Sequence, residues 1–552
     1  MTRVFGIIKY HRKKKESTIQ ANCFDNGVLY LKVERMHNFT FDKTPFFYNF
    51  NTDVLCMVLG YITNIQEIKE KYDILHANDN EVIEHIYTLY NFKILSEIDG
   101  IFLILIFDGK NGVMYITQSE MGYNLPFYYI NSEDEFAFST SIKPILKHIP
   151  MNRELNIPAV NDMLYFRTLI PSDDTLIKKI NKLIPLRTLV INYNMRHMEV
   201  KPLLLKKEAH ISKSIAEHRL LGSINDNMRR VSDQLECEKI AATLTAGWDT
   251  NLILYFLKKM NHEMLSLITI DGGGDSSELL AVKSILNNYT SYNQIVSSVD
   301  EDIVQSFPDI VWRIEGYIFD EGFFLRYKLS KELRKRQNSI VFLGSSADQL
   351  MFTAIKQIRL KLRPLREIYY RLIQGNWQEE AIRKTFKRKT HNAIRSIFSS
   401  NLFLDCNMKL HEIILNSFSI QGIFPFVNRE TAYLCKSLGI ANTDKKIYKQ
   451  KVKELLGAEI TNNIKKSGKV VDIQQVFKNN KALLMSVMKK DFINIILSEK
   501  QIRSINKRPE SFSSLIIQLV YLYLFNEMFI TKKYDTFFDK SHFNHTLSSM
   551  LL

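Results

Sequence analysis

Two short segments of this chain place small residues and an aspartate where a buried strand gives way to a helix. In the first, an apolar run at 239–243 ends in Thr245-Ala246-Gly247, and a helix is expected to begin near Asp249. Such a turn lets backbone N–H groups close on an anion at a helix N-terminus, where the helix dipole also favours negative charge. Asp249 would hold a Mg²⁺ ion that contacts phosphate, because a carboxylate repels phosphate itself. Taken alone, an aspartate capping an ordinary helix is the commoner explanation.

The second segment repeats this pattern farther along the chain. A candidate strand at 339–343 ends in Gly344-Ser345-Ser346-Ala347, and Asp348 precedes a helical run. Parallel strands of one sheet end at the same edge, so the loops that follow them converge where doubly wound folds bind ligands. We therefore expect Asp249 and Asp348 to face one Mg²⁺–triphosphate. By itself, this second segment is also typical of a tight turn with a helix cap.

The elements that must position these loops indicate an α/β protein with two kinds of sheet. Buried-strand candidates at 239–243, 265–270 and 339–343 are each followed by a turn and a helix, which predicts a doubly wound parallel sheet. The first 200 residues or so are instead rich in short strands, and one helix is predicted at 79–90. The strand candidates of this half are 27–33, 54–62, 101–107, 112–117, 136–139 and 188–192.

A basic connector, KPLLLKKEAHISKS at 201–214, separates the two patterns. It has a proline near its beginning and lacks apolar periodicity, so we place the boundary there and predict domains at 1–205 and 206–552. Beyond about residue 355 the pattern is nearly all helical, and 356–395 is densely basic. A solvated basic face is the default interpretation of that run, although it would also suit a peptide or a partner protein.

Composition narrows the class of protein without choosing a function. The 552 residues carry 74 Lys and Arg against 59 Asp and Glu, a net charge of +15 that favours an anionic partner such as nucleic acid, nucleotide phosphate or an acidic peptide. The five cysteines form no Cys-x-x-Cys pair, so neither a disulfide framework nor a zinc site is expected. No secretory signal is expected, the apolar windows at 101–107 and 515–530 are interpreted as core elements, and a cytoplasmic location is predicted.

The two loops resemble those of asparagine synthetase and its relatives, which read Ser-Gly-Gly-x-Asp-Ser and Gly-Glu-Gly-x-Asp-Glu. The corresponding residues here are 245–250 and 344–349, and each loop differs from the family pattern at several positions. Further segments resemble the family in the same order along most of the chain. They are MTRVFGI at the start, NDNEVIEHIYTLY (78–90), EIDGIFLILIFD (97–108), MGYNLPFYYI (121–130), FAFSTSIKPIL (136–146), IFPFVNRETA (423–432) and DKKIYKQKVKELL (444–456).

The resemblance implies an N-terminal glutamine-amidotransferase-like αββα sandwich of the Ntn-hydrolase type and a C-terminal ATP-pyrophosphatase domain with a helical tail. Family members use ATP and Mg²⁺ to adenylate a carboxylate, and a nitrogen then attacks the acyl-adenylate. The residues that would bind ATP and pyrophosphate are Thr245, Ala246, Gly247, Asp249, Thr250, Gly344, Ser345 and Ser346, with Asp249 and Asp348 on the metal. Lys445 aligns with a family lysine that would stabilise the transition state, its neighbour Lys446 is nearly as good a candidate, and a solvated surface lysine is the alternative for both.

The glutaminase half departs from the family. The family nucleophile is a cysteine exposed when Met1 is removed, whereas this chain has Thr2. A threonine with a free amine can act as a nucleophile in other enzymes of that architecture, so chemistry alone does not exclude Thr2. No Arg-Gly-Pro-Asp segment is found, and the family's Asn-Gly-Glu reads Leu59-Gly60-Tyr61. Asp79 alone is retained as a candidate glutamine contact. We therefore expect this half to be inactive and to serve as a scaffold.

The synthetase half departs at the family's base. The glutamate of Gly-Glu-Gly is Ser345 here, and serine is a poor base. Glu315 or Tyr317 of the WRIEGY segment would supply that function from a neighbouring element, although a buried structural Glu or a core Tyr is the commoner explanation. Loss of both the ammonia source and the usual base suggests that the nitrogen nucleophile is an amine carried by the substrate.

That combination is similar to the macrolactam synthetases that close lasso peptides, which would join a peptide α-amine to an Asp or Glu side chain. The first hypothesis is therefore such a cyclase, with a peptide substrate and a leader-peptide-handling protease as partner. An asparagine synthetase or a β-lactam-forming ligase, with a small-molecule carboxylate as substrate, is the alternative within the same class. A catalytically dead homologue that acts as a scaffold or binds nucleic acid is the third, but no nucleic-acid-binding motif supports it.

Overall fold

The computed structural model describes most of the chain. The described residues are 2–10, 15–20, 22–35, 45–74, 77–123, 125–166, 173–203, 211–235, 239–260, 265–271, 276–289, 292–299, 301–316, 322–351, 401–438, 445–462, 464, 471–540 and 542–551. The basic run at 356–395 therefore lies outside the described residues, as does the middle of the connector, 204–210.

The N-terminal half consists of two antiparallel sheets. Its strands are β1 (Thr2–Lys9), β2 (Thr18–Gln20), β3 (Cys23–Asp25), β4 (Leu29–Arg35), β5 (Phe47–Asn49), β6 (Val54–Ile62), β7 (Gly100–Asp108), β8 (Val113–Gln118), β9 (Tyr128–Asn131), β10 (Glu135–Ser139), β11 (Asn181–Lys182), β12 (Arg187–Asn192) and β13 (His197–Pro202). One sheet has the order β11-β9-β10-β1-β4-β3-β2 and the other β13-β12-β8-β7-β6-β5. The helices of this half are α1 (Ile65–Tyr72), α2 (Asp79–Tyr90), α3 (Ile142–His148) and α4 (Ile157–Phe166).

Residue alternation along β7 explains why the sheets form layers. Leu103 and Leu105 lie in the core between the two sheets, whereas Ile104 and Ile106 face the helices α1 and α2. Successive side chains of a strand point to opposite faces, so an all-apolar strand is one that is covered on both sides. On the other sheet, Phe5 stacks on His148 of α3. The predicted αββα sandwich is confirmed.

The C-terminal half is built on a five-stranded parallel sheet. Its strands are β14 (Ile240–Thr243), β15 (Ser266–Asp271), β16 (Asn293–Ser298), β17 (Ile340–Phe342) and β18 (Gln421–Ile423), in the order β16-β15-β14-β17-β18. The chain moves outward from β14 to β16 and then returns to the other side of β14. Adjacent strands that leave in opposite directions define the switch point of a doubly wound sheet, and here they are β14 and β17.

Helices cover this sheet and continue into the tail. They are α5 (Lys213–Ser232), α6 (Trp248–Lys259), α7 (Ser276–Leu286), α8 (Phe307–Ile314), α9 (Phe323–Lys335), α10 (Ala347–Met351), α11 (Asn401–Ser417), α12 (Arg429–Leu438), α13 (Lys446–Thr461), α14 (Ile473–Asn479), α15 (Lys481–Met485), α16 (Phe492–Ile496), α17 (Glu499–Lys507), α18 (Ser513–Phe525) and α19 (Leu547–Leu551). The fold class predicted for this half is also confirmed. Several strands were not predicted, among them β1, the exposed edge strand β16 and the short β18.

The tail contains one segment, Pro509–Ile530, that is apolar and long enough to cross a membrane by composition. In this structure 72% of its apolar window is buried inside the protein. Ile516, Leu519 and Phe525 belong to the same core cluster as the sandwich. The segment therefore packs as a core element, as the sequence indicated.

The two halves share buried contacts as well as a core. Arg153 forms a two-pronged ion pair with Asp535, with N–O distances of 2.6 and 2.9 Å. Lys143 donates to the backbone carbonyl of Trp312 at 2.8 Å, and its ammonium lies 4.1 Å from the centre of that ring. The sandwich is thus attached to the helices of the C-terminal half through a continuous apolar core and buried polar contacts.

Candidate active site

The first loop connects β14 to α6 and is held by its own side chains. The Thr250 hydroxyl accepts from the Thr245 amide at 3.3 Å and lies 3.0 Å from the Thr245 hydroxyl. The Gly247 amide donates to the Thr245 hydroxyl at 3.2 Å. Asn251, fully buried, donates to the carbonyls of Thr245 and Gly247 at 3.1 and 2.7 Å. The loop is therefore a fixed turn, and two of its amides already have partners within it.

The second loop connects β17 to α10 and packs directly against the first. A Cβ atom at Gly344 would lie 2.7 Å from Thr250 Cγ2 and 3.4 Å from Asp249 Cβ, so only glycine allows this approach. Ser346 has a φ of 75°, which is the left-handed region that favours glycine. The Ser345 Oγ is buried and has no hydrogen-bond partner among the described residues. The expectation that the two loops meet at one edge of the sheet agrees with this packing.

Lys445 brings the two aspartates together. Its Nζ lies 2.7 Å from Asp249 Oδ2 and 2.7 Å from Asp348 Oδ1, and 8% of its side chain is exposed. Lys445 is the residue immediately before α13 and has a φ of 61°, so a backbone in the left-handed region aims the ammonium at the loops. Lys446 begins the helix and is exposed. Of the two lysines named from the sequence, the structure places Lys445 in this cluster.

Burial and charge act against each other in this cluster. Burial raises the pKa of Asp249, and the Lys445 ammonium partly offsets that rise. Burial lowers the pKa of Lys445, but the two carboxylates reverse the direction and leave it above its usual value. The Tyr448 hydroxyl is within hydrogen-bonding reach of Asp249, and burial together with that carboxylate raises the pKa of Tyr448 well above its usual range. Lys445 therefore stays charged at neutral pH.

The donor set fits Mg²⁺ in the way nucleotide enzymes hold it. Two carboxylates converge on one point, and Mg²⁺ is usually bound by one or two carboxylates together with phosphate oxygens. Among the described residues there is no group of three His, Cys, Asp or Glu side chains that could hold a metal ion by themselves. Asp249 and Asp348 would hold Mg²⁺ together with phosphate oxygens.

Glu315 lies between the two halves of the molecule. Its carboxylate accepts from the Ser141 hydroxyl at 2.7 Å and from the Ile142 amide at 2.6 Å, at the start of α3. Lys143 Nζ lies 3.1 Å from the same carboxylate, which is buried. These contacts give Glu315 a structural position, and its role as a base stays a prediction. Tyr317, the other candidate base, lies outside the described residues.

In the N-terminal half, two of the residues at the positions of the glutaminase motif are buried. Thr2 begins β1 and pairs with Arg35 of β4. Asp79 is the first residue of α2, with its Oδ1 4.0 Å from Lys69 Nζ. Leu59 and Tyr61 are 6% and 1% exposed, and Tyr61 belongs to the core cluster around the parallel sheet. Two motif positions that would contact glutamine are therefore occupied by core side chains.

Sequence reasoning missed Asn251 and Tyr448. Asn251 follows the quoted loop motif by one residue, and its position one helical turn after Gly247 is a signal for a contact with the loop. Tyr448 lies three residues after Lys445 on the first turn of α13, which places both side chains on one face. Both side chains are fully buried.

An αββα sandwich joined to a doubly wound sheet, with a charged loop site at the switch point, defines a class of two-domain α/β proteins. Residues 38–201 match the model of the glutamine amidotransferase domain, and residues 229–397 match that of asparagine synthase. These matches identify the chain as a member of the asparagine synthetase family, with an N-terminal amidotransferase domain and a C-terminal asparagine synthase domain.

Similar curated proteins carry the same family name. A protein of Methanocaldococcus jannaschii, provisionally named asparagine synthetase (glutamine-hydrolyzing) 2, is 25% identical over 54% of this chain and 58% of its own length. Asparagine synthetase (glutamine-hydrolyzing) 1 of Bacillus subtilis is 21% identical over 53% and 46%. The asparagine synthetase of Gallus gallus is 22% identical over 53% of each. The chain thus spans about half the length of the curated relatives it matches.

One solved structure that resembles the chain is a glutamine phosphoribosylpyrophosphate amidotransferase of B. subtilis complexed with ADP and GMP. It is 11% identical, covers 55% of this chain and 82% of its own, and has a TM-score of 0.26.

Proposed function

We propose that this protein is an ATP-dependent ligase that forms carbon–nitrogen bonds by way of an acyl-adenylate. The observation that carries this proposal is the Lys445 ammonium between Asp249 and Asp348, at the carboxyl ends of the two strands that define the switch point. A buried ammonium paired with two carboxylates at the ligand-binding edge of a doubly wound sheet suits the binding and cleavage of a polyphosphate. The asparagine synthetase relatives support the same class of reaction.

The proposed chemistry has two steps. A substrate carboxylate oxygen attacks the α-phosphorus of ATP, the bond to the bridging oxygen breaks, and pyrophosphate leaves. An amine nitrogen then attacks the acyl carbon, AMP leaves with the electron pair of the broken C–O bond, and the nitrogen loses a proton. Lys445 and the loop amides would stabilise the negative charge that develops on the phosphates, and Mg²⁺ supplies further neutralisation when bound.

We infer that the amine belongs to the substrate and that the product is a macrolactam of the lasso-peptide type. Leu59 and Tyr61 are core residues where the family's glutaminase motif would contact glutamine. Ser345 has no acidic group with which to act as a base, and within the described part of the chain its Oγ has no partner that would activate it. A peptide α-amine would then attack an adenylated Asp or Glu side chain of the same peptide, and a protease that handles the leader peptide would be the partner.

The second candidate is an asparagine synthetase or another small-molecule ligase, such as a β-lactam former. The names of the matched relatives favour asparagine formation. It would need an ammonia or amine source that does not depend on glutamine hydrolysis in this chain.

Carboxylate-dependent exchange of labelled pyrophosphate into ATP tests the ligase proposal directly. Exchange is expected with the correct carboxylate, and candidate linear peptides are compared with free aspartate. Exchange with peptides and not with aspartate supports the cyclase, and the reverse supports the small-molecule ligase. Absence of exchange with every substrate, together with no binding of MgATP, would leave a scaffold or nucleic-acid-binding role.

Two substitutions tie the exchange to the loop site. Asp249→Ala and Asp348→Ala should each abolish exchange, because each removes one of the two carboxylates that converge on Lys445. Asp226→Ala is the matched control, since Asp226 is an exposed aspartate on α5 of the same domain. Unchanged exchange in either loop variant would refute the assignment of these carboxylates to the metal.

A further inference from the structure

Asn251 has an unusual set of partners for a buried asparagine. Its side-chain nitrogen donates to two carbonyls of one loop, those of Thr245 and Gly247, at 3.1 and 2.7 Å. The side chain is fully buried, and its Oδ1 has no hydrogen-bond partner in the part of the chain that the structure describes. Both side-chain hydrogen bonds of Asn251 are therefore made to backbone carbonyls of the first loop.

These two bonds fix the direction of two backbone amides. In a planar trans peptide the C=O of one residue points opposite to the N–H of the next. The carbonyl of Thr245 is turned inward to Asn251, so the N–H of Ala246 is turned away from it. In the same way the inward carbonyl of Gly247 turns the N–H of Trp248 outward. The loop is described throughout and has no cis peptide bond.

The remaining amides of the loop are directed inward. The amide of Thr245 donates to the Thr250 hydroxyl at 3.3 Å, and that of Gly247 donates to the Thr245 hydroxyl at 3.2 Å. Inward and outward amides therefore alternate along the loop. Two outward amides that flank one residue form a concave pair of donors at the start of α6, next to the positive end of its dipole.

We propose that Asn251 is a positioning residue, which aims the amides of Ala246 and Trp248 at the β- and γ-phosphates of ATP and at the departing pyrophosphate. The inference rests on the proposed function for its ligand and goes beyond it in naming the two donors and the side chain that orients them. Asn251 itself does not contact the phosphate. Its effect is transmitted through two peptide planes.

Binding of Mg²⁺–pyrophosphate and of AMP, measured by calorimetry on the full-length protein, tests this inference. Asn251→Asp places a carboxylate oxygen against the two carbonyls, repels them and lets the peptide planes turn. Its dissociation constant for Mg²⁺–pyrophosphate should rise about tenfold or more, since each charge-assisted hydrogen bond contributes strongly to binding. Affinity for AMP, which lacks the β- and γ-phosphates, should not change.

Asn338→Asp is the matched control. Asn338 is also a buried asparagine, and its side-chain nitrogen donates to the backbone carbonyl of Lys239 at 3.4 Å. Its Oδ1 likewise has no partner among the residues described. Lys239 lies just before β14, at the end of the strand away from the loop. The control variant introduces the same buried carboxylate and should bind Mg²⁺–pyrophosphate as the unmodified protein does.

Asn251→Ser serves if the aspartate variant does not fold. Serine is small and neutral, and it is too short to reach both carbonyls, so hydrogen exchange of the amides at 245–248 should become faster and pyrophosphate affinity should fall. Equal loss of AMP and pyrophosphate affinity, or unchanged pyrophosphate affinity and amide exchange, would overturn the positioning role. If the unmodified protein binds neither pyrophosphate nor MgATP, the proposed function fails. In that case, unchanged hydrogen exchange of the loop amides in the Asn251→Ser variant would also refute the proposal that Asn251 orients the loop.

Discussion

The loop site of the C-terminal half and the end of β6 in the N-terminal half both lie where a sheet strand ends, yet their side chains differ in kind. The first has a buried ammonium between two carboxylates. The second has Leu59 and Tyr61, whose side chains are both buried in the hydrophobic core. Charged groups are costly to bury and are kept where they have a ligand or a partner, whereas core side chains stabilise the fold.

Both regions contain a glycine at a position where a side chain would clash with neighbouring atoms. A Cβ atom at Gly60, which has a φ of 95°, would lie 2.1 Å from the Ile101 carbonyl oxygen. A Cβ atom at Gly344 would lie 2.7 Å from Thr250 Cγ2. The backbone at Gly60 thus requires glycine, while its neighbours Leu59 and Tyr61 are core side chains. That the N-terminal half has no glutaminase activity stays a prediction.

The sharpest test of this difference is Lys445→Met. Loss of the ammonium removes the charge proposed to stabilise the phosphates, and we expect pyrophosphate exchange to fall on the order of a thousandfold or more. Lys446→Met is the control, because Lys446 is exposed beside it and should leave exchange unchanged. Exchange that persists in the Lys445 variant and falls in the Lys446 variant would reverse the assignment of the two lysines.

The first loop and the aspartates could be predicted because their signals are local. Small residues and an aspartate directly follow an apolar strand, and the order of strands and helices predicts that two such loops meet. The choice between Lys445 and Lys446 could not be made, since it depends on a left-handed φ of 61° that aims one of two adjacent lysines inward.

Long-range partners explain what else the sequence did not reveal. Glu315 contacts Ser141, a residue 174 positions away, so no local pattern indicates that its carboxylate is used at the start of α3. The burial of Tyr61 in the core of the other half is a tertiary contact of the same kind. The order of segments in the sequence identified the motif positions, but only the tertiary packing shows which of these residues lie in the hydrophobic core.

Substitutions in the N-terminal half should change the stability of the protein and leave pyrophosphate exchange unchanged. Tyr61→Ala removes a fully buried aromatic side chain, and we expect the free energy of unfolding to fall by about 4 kcal/mol in chemical denaturation. Thr2→Ala should leave both stability and pyrophosphate exchange unchanged. Ammonia release from glutamine that disappears in the Thr2 variant would show that this half retains a working nucleophile, and the contrast between the halves would fail.

Glu412, a buried residue of α11, should give the stability of the protein a pH dependence. Burial raises the pKa of this carboxyl to about 8, against hydrogen bonds from Gly422 and Asn416. The folded state then keeps a proton that the unfolded state loses near pH 4.5, so stability is greatest below that pH and declines until about pH 8. We expect a fall of about 3 kcal/mol between about pH 5 and 7.5 that is absent in Glu412→Gln. An equal slope in both proteins would assign the dependence to other groups.

Glu315 is the candidate base that the structure puts in a structural position. Glu315→Gln weakens its ion pair with Lys143 and the bond from the Ile142 amide, and should lower the free energy of unfolding by about 2 kcal/mol. Pyrophosphate exchange per folded molecule should stay the same. Product formation from a preformed acyl-adenylate should also be unchanged. Selective loss of product formation with normal stability would instead identify Glu315 as the base.

The smallest expected effect concerns Ser346, whose φ of 75° is costly for any residue with a Cβ atom. Ser346→Gly relieves that cost but gives the unfolded chain more freedom, so we expect a gain of at most about 1 kcal/mol in the free energy of unfolding. Ser346→Val should instead destabilise the protein, because β-branched residues tolerate this region poorly. If Ser346→Val lowers neither the free energy of unfolding nor pyrophosphate exchange, the left-handed backbone at 346 does not shape the second loop. The strained backbone that distinguishes this site from the end of β6 would then have no role in the reaction.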